Sequence, residues 1–329
     1  MSHPLSFDGA RILITGGCGF IGSNLARRLV QLGAKVLLVD SLVPEYGGNL
    51  FNIADVRDAL TLNVADVRDP YSMRHLVQGQ DFLFNLAGQT SHLDSMKDPQ
   101  TDLEINCRAQ LSILEACRHN NPKVRIVFAG TRQVYGRPEY LPVDEKHPVR
   151  PVDVNGVNKI SGEWFHLLYN NVYGIGATVL RLTNTYGPRM RIKDARQTFV
   201  GVWIRALVEG NAFEVWGGEQ RRDFTYSEDA VEALLMAAAS DDARGKIYNL
   251  GGHEVISLKA LADALIAANG HGSYVVREFP AERQKIDIGD YYSDYSLIRS
   301  ELGWNPKVDL KSGFATTLSF YREHLAYYL

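Results

Sequence analysis

Gly16, Gly19 and Gly22 stand in Thr15-Gly16-Gly17-Cys18-Gly19-Phe20-Ile21-Gly22, a spacing suited to binding a pyrophosphate. The chain must turn there from a strand into a helix and bring backbone N–H groups, those of Phe20 and Ile21 among them, against the anion. Side chains at the glycine positions would obstruct that approach. Asp40 ends the next apolar run. A carboxylate there accepts both hydroxyls of an adenosine ribose and repels a 2′-phosphate, and no Arg directly follows it, which favours NAD over NADP. Asp66-Val67 is placed for an adenine contact. Cations cluster at Arg189, Arg191 and Lys193 and again at Arg221 and Arg222. Such clusters suit a small anionic ligand, and a solvated surface equally well.

Elements of definite kind must hold these residues. Ala10–Thr15 is an apolar run that breaks into the glycines, and Phe20–Gly33 has helical periodicity through Ile21, Leu25, Leu29 and Leu32. Lys35–Asp40, Ala59–Asn63, Asp81–Leu86 and Val124–Ala129 read as buried strands, with helices at Pro70–Gln78 and Asp102–His119. The alternation predicts an α/β fold: a Rossmann-type, doubly wound parallel sheet with helices on both faces. After residue 183 Gly, Pro and charge alternate with helices at Thr198–Glu209, Ser227–Ser240, Ser257–Asn269 and Lys311–His324. Brief strands fall at Phe213–Trp216 and Lys246–Leu250. We expect an NAD-binding domain over 1–182 and a smaller α/β substrate-binding lobe over 183–329, with room for chain crossings back to the first domain.

Composition bounds the function. The chain of 329 residues is 45% hydrophobic and 22% charged, with a formal net charge of −3, so no basic surface points to nucleic acid. Cys18, Cys107 and Cys117 form no CxxC pair, and the simplest setting is a reducing cytoplasm. No metal site is expected from the His and Cys spacing. No apolar run is long enough to predict a membrane span, and no signal-peptide core precedes the first strand.

Taken in order, several motifs resemble the extended short-chain dehydrogenase/reductases, in the NAD-dependent nucleotide-sugar epimerase and dehydratase group. They are Thr15–Gly22, Asp40, Asp66, Asn85-Leu86-Ala87-Gly88-Gln89, Asn106, Val134-Tyr135-Gly136 and Arg181-Leu182-Thr183-Asn184-Thr185-Tyr186-Gly187-Pro188. Arg222-Asp223-Phe224, Asp229 and Tyr248-Asn249-Leu250-Gly251-Gly252 continue the match. The resemblance implies that Leu86, Ala87, Gly88 and Gln89 line the nicotinamide end of NAD. It implies that Asn184 and Arg222 approach a substrate diphosphate, with Arg283 as a second arginine and Arg189 in the same cation cluster. Arginine suits phosphate because its planar fork gives parallel charge-assisted bonds. It further implies a homodimer through Asp102–His119 and Asn155–Tyr169, with Leu111, Leu114, Trp164 and Leu168 as apolar contacts.

The departures bear on the chemistry. The group uses a Ser or Thr with Tyr-x-x-x-Lys. Thr131 and Lys159 match, but Asn155 stands where the tyrosine should be. An amide cannot be a general base near neutral pH; it can only orient a hydroxyl or a water. Lys159, His92, Tyr186 and a bound water are the alternatives, and His92 also lies where it could touch substrate. The dehydratases of the group place Asp-Glu after the Thr, where this chain has Arg132 and Gln133, and its decarboxylases use a glutamate near the same place. A segment from Gly88-Gln89 to Asn106 is similar to the CDP-sugar 2-epimerases. The expected activity is NAD-dependent epimerisation of a nucleoside-diphosphate sugar through a keto-sugar, with Lys159 also holding the nicotinamide ribose. A dehydrogenase, reductase or dehydratase of the same substrates, and a catalytically silent binder of NAD and sugar nucleotide, are the alternatives.

Overall fold

The computed structural model describes residues 6–280 and 285–329. Its first part runs β1 (Arg11–Thr15), α1 (Phe20–Gln31), β2 (Lys35–Asp40), β3 (Leu60–Val64), α2 (Pro70–Leu76), β4 (Phe82–Asn85), α3 (His92–Lys97), α4 (Pro99–Leu103), α5 (Ala109–Asn120), β5 (Arg125–Thr131), α6 (Val154–Tyr173) and β6 (Ala177–Leu182). There follow β7 (Asn184–Tyr186), α7 (Phe199–Val208), β8 (Phe213–Trp216), β9 (Arg221–Tyr226), α8 (Ser227–Ala239) and β10 (Ile247–Asn249). The chain ends with β11 (Val255–Ser257), α9 (Leu258–Asn269), β12 (Tyr274–Arg277), α10 (Ser296–Leu302) and α11 (Leu310–His324).

Seven strands form one sheet in the order β10-β6-β5-β4-β1-β2-β3, each pair parallel. Both faces are covered, which is why the strands read as continuous apolar runs. Successive side chains enter opposite layers. Ile12 and Ile14 pack with Leu25 and Leu29 of α1 and with Leu234 and Leu235 of α8. Leu13 packs with Leu76 of α2 and with Ile113 and Leu114 of α5. Strand order reverses between β1 and β4, so the loops leaving their carboxyl ends diverge and open a crevice.

The second lobe holds the sheet β11-β9-β7, the pair β12-β8, and α7, α9 and α11 around Trp203, Phe213, Leu261, Leu265 and Phe314. Within the stretch after residue 182 the chain also crosses back to the large sheet. Helix α8 packs on the large sheet beside α1, and β10 adds to that sheet's edge beside β6. Short apolar segments do not record which sheet they join.

The expected helix over Asp102–His119 is also divided. A wide π turn at Glu104–Arg108 separates α4 from α5, and the Gln110 side chain donates to the Ile105 carbonyl there at 2.9 Å. Helix α6 is capped by Asp153, whose Oδ1 accepts the Gly156 N–H at 2.7 Å, and it stops at Gly174 in the left-handed region. Its inner face carries Asn155, Asn158, Lys159, Glu163 and His166. Glu163 forms a buried ion pair with Arg181 of β6 that locks α6 to the sheet. Its outer face exposes Val157, Trp164, Leu168 and Val172, near a partly exposed Leu111 on α5. Leu114 is fully buried in the protein's own core, which removes it from the expected dimer contacts.

Candidate active site

A cleft of about 490 Å³ runs from the start of α1 across the ends of β4 and β5 into the second lobe. One end is a cradle for a dinucleotide. Gly16 has φ +69°, and a Cβ on Gly22 would lie 2.2 Å from the Gly16 carbonyl oxygen, so α1 packs against the turn only without a side chain there. Gly16, Gly19, Phe20, Ile21 and Gly22 all line the cleft. Thr15 Oγ1 accepts the N–H groups of Leu86 and Ala87 at 3.0 and 3.1 Å, which fixes Leu86, Ala87 and Gly88 as the facing wall.

Asp40 lines the cleft at the end of β2, and its oxygens accept the N–H groups of Cys18 at 2.9 Å and Leu42 at 2.8 Å. Burial pushes its carboxyl above the ordinary value, against the pull of those two bonds. Asp66 and Val67 line the same end. The Asp66 carboxyl is held low by Arg68, which grips it with Nη2 at 2.6 Å and Nε at 3.0 Å. A glycine cradle that a single Cβ would fill, with a carboxylate at the second strand, fits an adenine dinucleotide.

Thr131 ends β5 and lines the cleft, its Oγ1 accepting the Gln133 N–H at 3.2 Å. Lys159 Nζ donates to the Ala129 carbonyl at 3.0 Å and lies about where a side chain on Gly88 would go. Burial pushes the ammonium down to about 8, opposed by the negative charge of Asp102. Asn155 does not behave as expected. Its side-chain N–H groups donate to the Gln89 carbonyl at 2.8 Å and to Asp102 Oδ2 at 3.0 Å. Asp102 is fully buried and also accepts from Asn106 at 3.0 Å and Asn158 at 2.8 Å. Asn155 lines the cleft while its amide nitrogen holds a buried carboxylate. Gln89 does not line the cleft: its side chain donates to the Ser91 carbonyl at 3.0 Å.

His92 lines the cleft on the other side, with Nδ1 2.9 Å from Asp153 Oδ2. Tyr186 is buried away from it, and burial drives its phenol far above its ordinary value, which removes it as a base.

Of the expected substrate residues, Asn184 lines the cleft, but its side chain is already bonded. Its Oδ1 accepts from Arg132 Nη2 at 2.9 Å, and its amide donates to the Asp223 carbonyl at 3.0 Å. Arg222 lines the cleft with Nη2 3.4 Å from Asp287; burial and the nearby Arg132 push its guanidinium down to about 10. Arg189 is not among the cleft residues: it donates to Asn24 Oδ1 at 3.0 Å and lies over the Phe320 ring. Arg283 falls outside the described residues. Sequence reasoning missed Arg132, whose Nη1 is buried without a partner, and the facing rings Trp216 and Phe279. The signal for Arg132 was present, since a cation directly follows Thr131, but it was read only as a missing acid.

Fold and cleft define a Rossmann-type protein with a dinucleotide cradle and a second lobe that brings Arg222 to the same cleft. The chain belongs to the NAD dependent epimerase/dehydratase family, whose model matches residues 12–251. It is 30% identical over 323 residues to a UDP-glucose 4-epimerase of Mycolicibacterium smegmatis, covering 95% of this chain and 98% of that one. It is 29% identical over 328 residues to a dTDP-glucose 4,6-dehydratase of Streptomyces niveus, covering 97% and 94%. Among solved structures, the UDP-glucose 4-epimerase of Thermotoga maritima with UDP-glucose superposes with a TM-score of 0.88 at 27% identity, over 96% of this chain and 99% of that one. No described helix is long and apolar enough to cross a membrane, and no group of three or more metal-ligating side chains occurs among the described residues.

If Arg222 meets a nucleoside diphosphate as the sequence leads us to expect, Arg222→Gln should bind the tightest of UDP, CDP, GDP and dTDP about tenfold to a hundredfold more weakly, the effect of losing one charge-assisted phosphate contact. Calorimetry on the holoenzyme checks this, and unchanged affinity would remove Arg222 from that role.

Proposed function

We propose that the protein is an NAD-dependent epimerase of a nucleoside-diphosphate sugar that works through a transient keto-sugar. One observation carries the reading: a single cleft joins the glycine cradle, the Thr131–Lys159 wall and the guanidiniums of Arg132 and Arg222. When bound, NAD supplies the acceptor and the returning donor of hydride. Thr131 hydrogen-bonds the reacting hydroxyl. Lys159, beside Gly88, holds the nicotinamide ribose and adds positive charge. Arg222 and Arg132 face the diphosphate, and Trp216 with Phe279 offers an aromatic pocket for the base.

Epimerisation is favoured over elimination by the residues after Thr131. Arg132 is a cation, and the Gln133 side chain donates to Asp153 at 2.9 Å, so neither supplies an acid to expel water. The bonding of Asn155 to Asp102 favours one second reading, a binder that does not turn over. Native mass spectrometry of the purified protein, then incubation with UDP-, CDP-, GDP- and dTDP-sugars in deuterated water, separates them. Co-purified NAD and an epimer seen by NMR support the enzyme. Stoichiometric NADH with no epimer would mean a net dehydrogenase, and tight binding without product would mean the silent binder.

We also propose a homodimer through the outer face of α6, supported by the exposure of Trp164 at 58% and Leu168 at 50%. The wild type should sediment with the mass of two chains at micromolar concentration, and the double variant Trp164→Glu/Leu168→Glu with the mass of one. A monomeric wild type overturns the proposal. The cysteines are unpaired, in keeping with a cytoplasmic setting.

A further inference from the structure

We infer that His92, oriented by Asp153, is the acid–base of this site, in the role left open by the asparagine at position 155. The inference rests on the proposed epimerisation and names the group that moves its proton.

The imidazole is placed by a rigid frame. His92 opens α3, whose cap Ser91 accepts the Asp94 N–H at 3.1 Å. The His92 carbonyl accepts from Ser95 Oγ at 2.7 Å, and that oxygen accepts the Asn155 N–H at 3.2 Å. Helix α3 is thus clamped to the start of α6, whose cap is Asp153. The Asp153 side chain is fully buried; the Gly156 N–H at 2.7 Å and Gln133 Nε2 at 2.9 Å donate to it, and His92 Nδ1 lies 2.9 Å from Oδ2. Burial pushes its carboxyl up, but His92 and the other donors outweigh this and hold it below its ordinary value.

Nδ1 lies 2.9 Å from Oδ2 without making a hydrogen bond of normal geometry, as is common of acid–base pairs before substrate closes the site. A buried carboxylate on Nδ1 selects the tautomer with its proton there. The lone pair then lies on Nε2, at the opposite edge of a side chain that is 39% exposed and lines the cleft. Gln133 ties this pair to the reacting position, because its backbone N–H donates to Thr131 Oγ1 while its side chain donates to Asp153. Among the described residues the other candidates serve less well. The Asn155 amide is bonded to Asp102, Tyr186 lies off the cleft, and Lys159 Nζ is bonded to Ala129.

In the oxidative half-reaction His92 Nε2 takes the proton of the sugar hydroxyl. Bound NAD, held by the glycine cradle and Lys159, would accept the hydride that the C–H bond at that carbon releases as C–O becomes C=O, and would return it to the opposite face. The imidazolium is balanced by Asp153. His92 then gives the proton back to oxygen, so nothing is oxidised overall.

Two measurements on the full chain loaded with NAD test this. Nitrogen-15 NMR of labelled histidine should show His92 protonated at Nδ1 and bare at Nε2, an assignment lost in Asp153→Asn. A proton on Nε2 in the neutral ring overturns the inference without reference to turnover. Single-turnover absorbance at the NADH band is then followed with UDP-, CDP-, GDP- and dTDP-glucose. His92→Ala and His92→Gln should lose about 10²- to 10⁴-fold in rate, and added imidazole should restore part of it in His92→Ala, which a merely structural role would not allow. A wild type inert with all four overturns the epimerase reading and this inference with it. A wild type that turns over while His92→Ala keeps its rate overturns the inference alone.

Discussion

Replacing Lys159 by Met is expected to slow turnover strongly and, at neutral pH, to raise the melting temperature. Both effects come from one fact: an ammonium is buried beside the reactive wall with a carbonyl as its bonded partner. Burial pushes it from 10.5 down to about 8, which penalises the charged folded form by roughly 3 kcal/mol. Met has similar length and no charge to desolvate. The penalty acts fully below about pH 8, where the folded and unfolded chains both carry the proton. Between about 8 and 10.5 the folded chain loses the proton first, the unfolded chain binds more, and the wild type gains stability relative to the variant as pH rises. Above 10.5 the difference closes. Thermal melts of both proteins at pH 7 and pH 10 read the double difference. The rate should fall by on the order of 10²-fold or more, since a fixed positive charge beside the reacting atoms acts where water is excluded. A variant less stable than wild type at pH 7 would show that Asp102 already repays the burial of the charge, and would defeat the prediction.

The sequence-to-structure comparison divides along one physical line. The parallel sheet, the glycine turn and the acid at the end of β2 were legible because each is local. Apolar runs of strand length, a helix period and a Gly-x-x-Gly-x-x-Gly spacing need only neighbouring residues to declare themselves. The return of β10 to the large sheet was not legible, because a three-residue strand reads the same in either sheet. The site divides likewise. Thr131 and Lys159 were singled out by the family resemblance alone, and both line the cleft. Asp153 and His92 stand 61 positions apart and meet only when α3 docks on the start of α6. Arg132 was visible as a residue but not as a buried cation, since burial belongs to the fold rather than to the motif. Asn155 shows the same division most sharply: the residue itself was visible, while its partners Asp102 and Gln89 arrive from other segments.

Those partners decide what Asn155→Tyr should do. If position 155 were a lesion in an otherwise tyrosine-ready site, restoring the phenol would restore a base. The structure argues for the opposite result. Asn155 is 2% exposed, and its two N–H groups satisfy Asp102 and the Gln89 carbonyl together. A tyrosine offers one donor on a ring several ångströms further out, so it cannot make both bonds. Asp102 would keep Asn106 and Asn158 but lose one donor to a buried charge, about 1.5–3 kcal/mol. The larger ring would have to displace packed neighbours, a further 1–3 kcal/mol or so. Asn155→Tyr is therefore expected to melt several degrees below wild type and to turn over no sugar nucleotide faster. Asn155→Ala separates the two causes, because it removes the donors without adding volume and should recover only the packing part of the loss. A faster Asn155→Tyr with an unchanged melting temperature would show that Asp102 does not need this amide. It would also return the acid–base role to position 155, against His92. Asn106, Asn155 and Asn158 together satisfy the buried Asp102 carboxylate, so a tyrosine at position 155 alone should not be accepted.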